Sequence, residues 1–541
     1  MTPARHWHAP ALAAAVALLV YAPSIAGAFL YDDIAILVDN RRIQDLGNLG
    51  TVLRYEPARP LLGLTWALNY AVAGTRPWPY HLVNVLIHAA NAALVASLFA
   101  WAARRSAGRI TLGAAAFAAC FFAATPMAAE TVAYVASRST ALASLWALAS
   151  LCLALPALAA GRASGRWMAA LVLFVLALLT KEEAACVPLL LLLLDWFFVE
   201  GTPRVRFWLH APFWAIPALG LLARRAVTGE WLPTPVLARG LYALTQLAAF
   251  PAYLFRAALP FDPAFFRGHP PAAWPPPTAV AGGALLAIAM LALAVRGLRH
   301  RALFSFAVLW LAAALVPSST LVPLREMVVD HRAYLGGAGL ALAIGVFLFT
   351  PERRIFAAAI LALMAARSWQ YQRVLADPVR AWEDAVRRAP GSGDAWRALA
   401  DAYGQRGDPR AEAALRQSVA VAPDDARGWA NLAVRYAESA RWAEATTALR
   451  AAIRADPRDA RLHDNLGLVL EAQGRVEEAA AAYEAATHVS PPLAQPRIRL
   501  AALLADRGER ARARALLDEA ARLEIDPDGA RAIEDLRRRL Q

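Results

Sequence analysis

The feature that most constrains this chain is a train of apolar blocks. From Ala11 to about Ala366 they follow one another, separated by short polar loops. A bilayer core about 30 Å thick takes about 20 apolar residues per helix, somewhat fewer in a packed bundle. About eleven segments meet that condition: 10–28, 82–103, 110–127, 139–160, 167–180, 184–199, 208–224, 279–296, 302–319, 333–350 and 355–368. A soluble chain of 541 residues does not need 59% hydrophobic residues, with 18% charged. Segment 241–259 is also apolar, but Pro251 interrupts it and Arg256 stands near its end, so it reads as an interfacial or re-entrant helix. After Trp369 the sequence turns charged, Ala-rich and Arg-rich. The expected division is therefore a membrane part over 1–368, a connecting helix or linker over 369–389, and a soluble part over 390–541.

The net charge of +13 does not point to nucleic acid, because no nucleic-acid module accompanies it. The arginines sit mostly in short loops between apolar blocks, at 104–109, 162–166, 204–206, 296–301 and 353–354, and on the helix faces of the soluble part. The positive-inside rule puts such loops in the cytoplasm. The same parity places 29–80, 128–138, 224–278, 320–332 and everything after 368 on the exported side. Ala26-Gly27-Ala28 resembles a signal-peptidase site, but the many following spans favour an uncleaved first span. Cys120, Cys152 and Cys186 all fall inside apolar blocks and no CxxC is present, which speaks against a disulfide framework or a zinc site. No cofactor is implied, and the carboxylate pair described below does not demand a metal.

The soluble part repeats itself. Pro390, Pro423, Pro457 and Pro491 recur at intervals of 33, 34 and 34 residues, and Gly407, Ala440, Gly474 and Gly508 keep the same spacing. Asp394-Ala395-Trp396 parallels Arg427-Gly428-Trp429 and Arg461-Leu462-His463. Each proline ends a second helix, and the small residues are expected where paired helices cross. This period resembles the tetratricopeptide (TPR) pattern, which forms a solenoid with a concave binding surface. About four units are visible, the last one degenerate and expected to cap the array.

Ionisable residues at the ends of apolar spans mark candidate function. Asp32 and Asp33 follow the first span directly. Like charge and partial desolvation at a membrane boundary are expected to raise the pKa of one of two adjacent carboxylates toward neutrality, and such a group serves as a general base. A cationic set lies on the same expected side: Arg59, Arg138, Lys181, Arg325, His331 and Arg332. Together they suit a phosphate or pyrophosphate at the membrane surface. Interface anchoring by snorkelling side chains is the plainer alternative.

These loops resemble those of the TMTC family, membrane O-mannosyltransferases that carry lumenal TPR repeats. The resemblance runs through Tyr31-Asp32-Asp33, Arg59-Pro60-Leu61, Leu68-Asn69-Tyr70, Tyr80-His81-Leu82-Val83-Asn84, His88, Glu130 to Arg138, Lys181-Glu182 and Asp330 to Gly336. It implies an all-α, GT-C-like membrane bundle followed by a TPR solenoid. It also implies sugar transfer from a polyprenyl-phosphate carrier to a hydroxyl acceptor, a protein, on the exported face, with inversion at the anomeric carbon. In that scheme Asp32 is the base and Asp33 assists or binds the acceptor. Arg59, Arg138, Lys181, Arg325, His331 and Arg332 hold the donor phosphate. Glu130, Tyr80, His81 and Asn84 belong to the remaining substrate site. Thr125 to Ala129 and Gly336 depart from the family pattern. The composition reads as bacterial, hence an inner-membrane protein with an exported TPR array that binds the acceptor or a partner. A lipid-linked oligosaccharide ligase and a membrane-anchored TPR scaffold for envelope assembly are the competing readings. A transporter is disfavoured, because neither mid-span charges nor a repeat of broken helices is clear.

Overall fold

A computed structural model describes residues 8–55, 59–200, 203–231, 239–258, 262–267, 275–317, 329–489, 492–523, 525 and 527–541. These residues form helices, turns and loops, with no strand among them. The chain divides into two compact units, Met1–Ala381 and Trp382–Gln541.

In the first unit five helices are long and apolar enough to cross a membrane: His8–Ala26, Pro77–Arg105, Val135–Ala160, Pro277–Leu298 and Asp330–Leu348. A sixth is possible if Leu112–Ala124 and Pro126–Ala133, bent by 42° at their junction, count as one span. By length and composition the described residues therefore do not reach eleven. Several expected spans are helices of 12–14 residues, such as Gly165–Leu178, Val187–Phe198 and Leu303–Val316. At 1.5 Å per residue these cover only about 20 Å.

The reading of Pro251 as an interruption needs correction, because the helix Arg239–Ala258 runs through it. Proline removes the N–H that would bond the carbonyl four residues earlier, here Leu247. Gly283 of the neighbouring helix Pro277–Leu298 packs directly on that Leu247 carbonyl, where a Cβ would collide with it. The glycine lets the two backbones close over the gap.

The bend after Ala124 exposes backbone carbonyls at the depth of the bundle, where water cannot satisfy them. Side chains of three other helices do so. Tyr21 donates to Thr125 O, Ser368 to Ala124 O and Gln372 to Ala129 O. From Pro77–Arg105, Asn84 donates to Val132 O and Tyr134 O, and Asn91 to Ala141 O. His88 Nε2 lies 3.1 Å from Ala123 O, a group that can only accept, so Nε2 carries the proton. His88 Nδ1 then accepts from the Tyr334 hydroxyl at 2.7 Å. His81, Asn84, His88 and Asn91 are all buried and share one helix face at intervals of three and four.

In the second unit the pairs are Gly393–Gln405 with Arg410–Val421, Ala426–Glu438 with Trp442–Ala455, Ala460–Ala472 with Val476–Thr487, and Ala494–Asp506 with Arg510–Ala520. Ser392, Asp425 and Asp459 cap the first helices of the first three pairs. Trp396, Trp429 and His463 each bond the carbonyl of the proline six residues before. Gly407, Ala440, Gly474 and Gly508 serve another purpose than close helix crossing. They form the turns within each pair at φ of 67°, 54°, 72° and 82°, the left-handed region that glycine enters most easily. Close crossing falls instead to residues such as Gly467, which sits against the Tyr483 ring. A further helix, Pro527–Arg539, buries Ile533 and Leu536 in the core cluster that also holds Ala513 and Leu517 of the last pair.

Candidate functional site

The two adjacent carboxylates have opposite surroundings. Asp33 is fully buried and accepts backbone N–H bonds from Leu30 (3.1 Å), Val135 (3.3 Å) and Ala136 (2.8 Å). It ties the loop after the first span to the turn that opens Arg138–Ala160. Burial pushes its carboxyl up to about 7, against those N–H groups and with a further push from Asp32. Asp32 is exposed, and its backbone N–H bonds the Tyr134 hydroxyl at 3.3 Å. Tyr31 precedes it at φ 48°, a left-handed conformation that costs a non-glycine residue roughly 1–2 kcal/mol.

Short motifs spread along the sequence meet at Arg138. Its guanidinium is buried and donates to Asn84 Oδ1 (2.8 Å), Asn69 Oδ1 (2.6 Å), Tyr80 O (3.0 Å) and Thr65 O (3.4 Å). All four acceptors are neutral. Arg138 thus locks the start of its helix to Pro60–Ala73 and Pro77–Arg105. His81, also buried, lies against Gly27 and near the Phe29 ring.

The other cations divide into three settings. Arg59 makes a two-point ion pair with Glu182, at 3.2 and 2.9 Å. Burial alone would raise the Glu182 carboxyl, but the Arg59 guanidinium overrides it and holds it below its usual range. His331 Nδ1 pairs with Glu130 Oε1 at 2.7 Å, and its backbone N–H bonds Glu130 Oε2. Lys181, the only lysine in the sequence, donates to Thr140 Oγ1 at 2.7 Å and pairs with Glu183 at 3.2 Å. Thr140, Ser144, Glu183 and Arg332 line one cavity. Arg332 is thus the member of the cationic set that lines this cavity, and Lys181 bonds two of its other lining residues, Thr140 and Glu183. Arg332 also bonds Gln246 and lies over the Tyr242 ring. Arg325 falls outside the described residues.

Sequence reasoning met Asp330 only as the start of the segment Asp330 to Gly336 and did not find its partners. Asp330 is buried and takes Arg267 at 3.1 and 2.8 Å, Arg256 at 3.4 Å and the Ala264 N–H at 3.3 Å. A lone acidic residue beside His331 carries no signal of arginines that lie 63 and 74 positions away. No group of three or more His, Cys, Asp or Glu side chains suited to a metal gathers among the described residues.

No family model matches the chain. Among curated proteins, human Protein O-mannosyl-transferase TMTC2 is 33% identical over 159 residues, which is 26% of this chain and 18% of that protein. Human Protein O-mannosyl-transferase TMTC4 is 31% identical over 156 residues, covering 25% and 21%. The chain resembles the TMTC protein O-mannosyl-transferases. It spans about a fifth of the length of these TMTC relatives. Solved structures with similar stretches include MamA (22% identity, 26% of this chain and 84% of that one, TM-score 0.25) and PilF of Pseudomonas aeruginosa (21%, 34% and 83%, TM-score 0.27). The TPR2AB domain of yeast Sti1 also matches (20%, 34% and 94%, TM-score 0.20).

Proposed function

We propose that this protein is a membrane glycosyltransferase of GT-C type, moving a sugar from a polyprenyl-phosphate carrier to a hydroxyl acceptor on the exported face. The observation that carries the reading is the split pair of carboxylates, Asp33 buried and bonded by three N–H groups and Asp32 exposed beside it. Asp33 sets the loop, and Asp32 takes the proton of the acceptor hydroxyl. The acceptor oxygen bonds the anomeric carbon as the bond from that carbon to the phosphate oxygen breaks, its electron pair leaving with the phosphate. A single displacement of this kind inverts the anomeric centre through an oxocarbenium-like transition state.

Lys181 and Arg332 answer the charge that develops on the phosphate. Arg332 lines the cavity with Thr140 and Glu183, the two residues that Lys181 bonds, and its walls include Ala143, Ala147 and Ala314. The TPR array binds the protein acceptor or a partner, and the molecule sits in a bacterial inner membrane with the array exported. The resemblance to the TMTC proteins, whose names describe protein O-mannosyl transfer, supports a protein acceptor.

The test is mass spectrometry of exported proteins from cells with and without this chain. A hexose-sized mass present on exported proteins only when the chain is present supports transfer. Identical modification patterns in both would reject it.

A further inference from the structure

A short segment over the acidic loop has a task that neither the sequence motifs nor the relatives assign. Asp330 anchors residues 264–267 by both sides: its carboxylate takes the Ala264 N–H and two bonds from Arg267, at 3.1 and 2.8 Å. Tyr371 fixes the middle, its hydroxyl accepting the Phe265 N–H at 2.7 Å. The two rings between these anchors reach the acidic loop. Phe265 meets Tyr134 edge-on with ring centres 5.2 Å apart, and Phe266 meets Tyr31 at 6.3 Å and 64°. Tyr134 is the residue whose hydroxyl accepts the Asp32 N–H. Tyr31 is the residue held at φ 48°. A left-handed tyrosine persists only where its surroundings enforce it.

We propose that residues 264–267 form a strap, latched by Arg267 to Asp330, that holds Tyr31 left-handed and so fixes the direction of the Asp32 carboxylate. Arg267 and Phe266 are then positioning residues for transfer. They act through Tyr31 and Tyr134, and sequence separation alone would not connect them to Asp32. The functional half of this inference rests on the transferase reading. The structural half does not.

Two readouts keep the halves apart. The first is amide hydrogen exchange of the peptide covering 29–36 in the full-length protein in detergent. Arg267→Gln and Phe266→Ala should speed its exchange several-fold while the core of Pro77–Arg105 keeps the wild-type rate. Unchanged exchange of 29–36 in both variants would overturn the strap, whatever the activity. If Arg267→Gln does not fold, Phe266→Ala, which leaves the latch intact, decides alone. The second readout is sugar transfer. Both variants should lose turnover about tenfold or more with the donor KM unchanged. Tyr31→Gly, which reaches positive φ without help, should restore part of it in the Arg267→Gln background. Faster exchange with wild-type turnover would overturn the positioning role. Faster exchange in the variants, with a wild-type protein that transfers no sugar, would reject the transferase reading and leave the strap standing.

Discussion

Two neighbouring carboxylates differ in surroundings, so their substitutions separate structure from chemistry. Asp33 carries three backbone N–H bonds, and burial places its carboxyl near 7. An unfolded aspartate titrates near 3.9. The folded state therefore holds the extra proton between about pH 4 and pH 7, and this group's contribution to stability falls as pH rises through that window. Thermal unfolding in detergent from pH 4 to 8 should show that slope, and Asp33→Asn should flatten it. A slope unchanged in the variant would remove Asp33 as its source. Asp33→Ala leaves three buried N–H groups without an acceptor and should destabilise by about 1–3 kcal/mol per group lost. Arg59 is a milder case. Its pair with Glu182 is partly exposed, so Arg59→Gln should cost under about 1 kcal/mol of stability. A larger loss in a melting curve would mean the pair holds more structure than its exposure suggests.

Elements explain how much was legible beforehand. The apolar blocks located the helices, because burial in a bilayer leaves a long, continuous signature. The bend at Ala124 and the continuity of Arg239–Ala258 were not legible, since each depends on partners far along the chain. Pro251 reads as a break until Gly283 is known to close on the Leu247 carbonyl. Gly283→Ala should therefore lower thermal stability by about 1–3 kcal/mol through overpacking; wild-type melting would mean the backbones do not touch there. His81, Asn84 and His88 stood in the sequence only as parts of a short motif, and the bonds of Asn84 and His88 to the carbonyls around the bend were not legible. Asn69, Tyr80, Asn84 and Arg138 appeared as separate short motifs, and the structure makes them one hydrogen-bond network. In the repeats the period was plain, while the left-handed turn behind it was not. Ala440 keeps φ 54° where its counterparts are glycines. Ala440→Gly should stabilise the array by up to about 1 kcal/mol, and Gly474→Ala should destabilise it similarly. Opposite signs in thermal melts would contradict the turn assignment.

At the scale of the whole molecule, the helix ends that carry Asp32, Arg138, Lys181 and His331 are bound to neighbouring ends, whereas Arg109 links other loops through Arg301 O and Phe197 O. Arg109 and the acid–base set thus belong to different connections. Removing residues 382–541 takes away one compact unit. The proposal predicts that the remaining unit still consumes lipid-linked donor with a small hydroxyl acceptor, while glycosylation of its protein acceptor falls sharply. Undiminished protein glycosylation would reduce the array to an appendage. The central claim is tested most directly by sugar transfer from a polyprenyl-phosphate sugar in vesicles containing purified protein, comparing wild type with Asp32→Asn. Loss of a general base costs about 10²- to 10⁴-fold, so the variant should fold, insert and transfer at least a hundredfold more slowly. Equal transfer rates would contradict the assignment of Asp32 and the mechanism built on it.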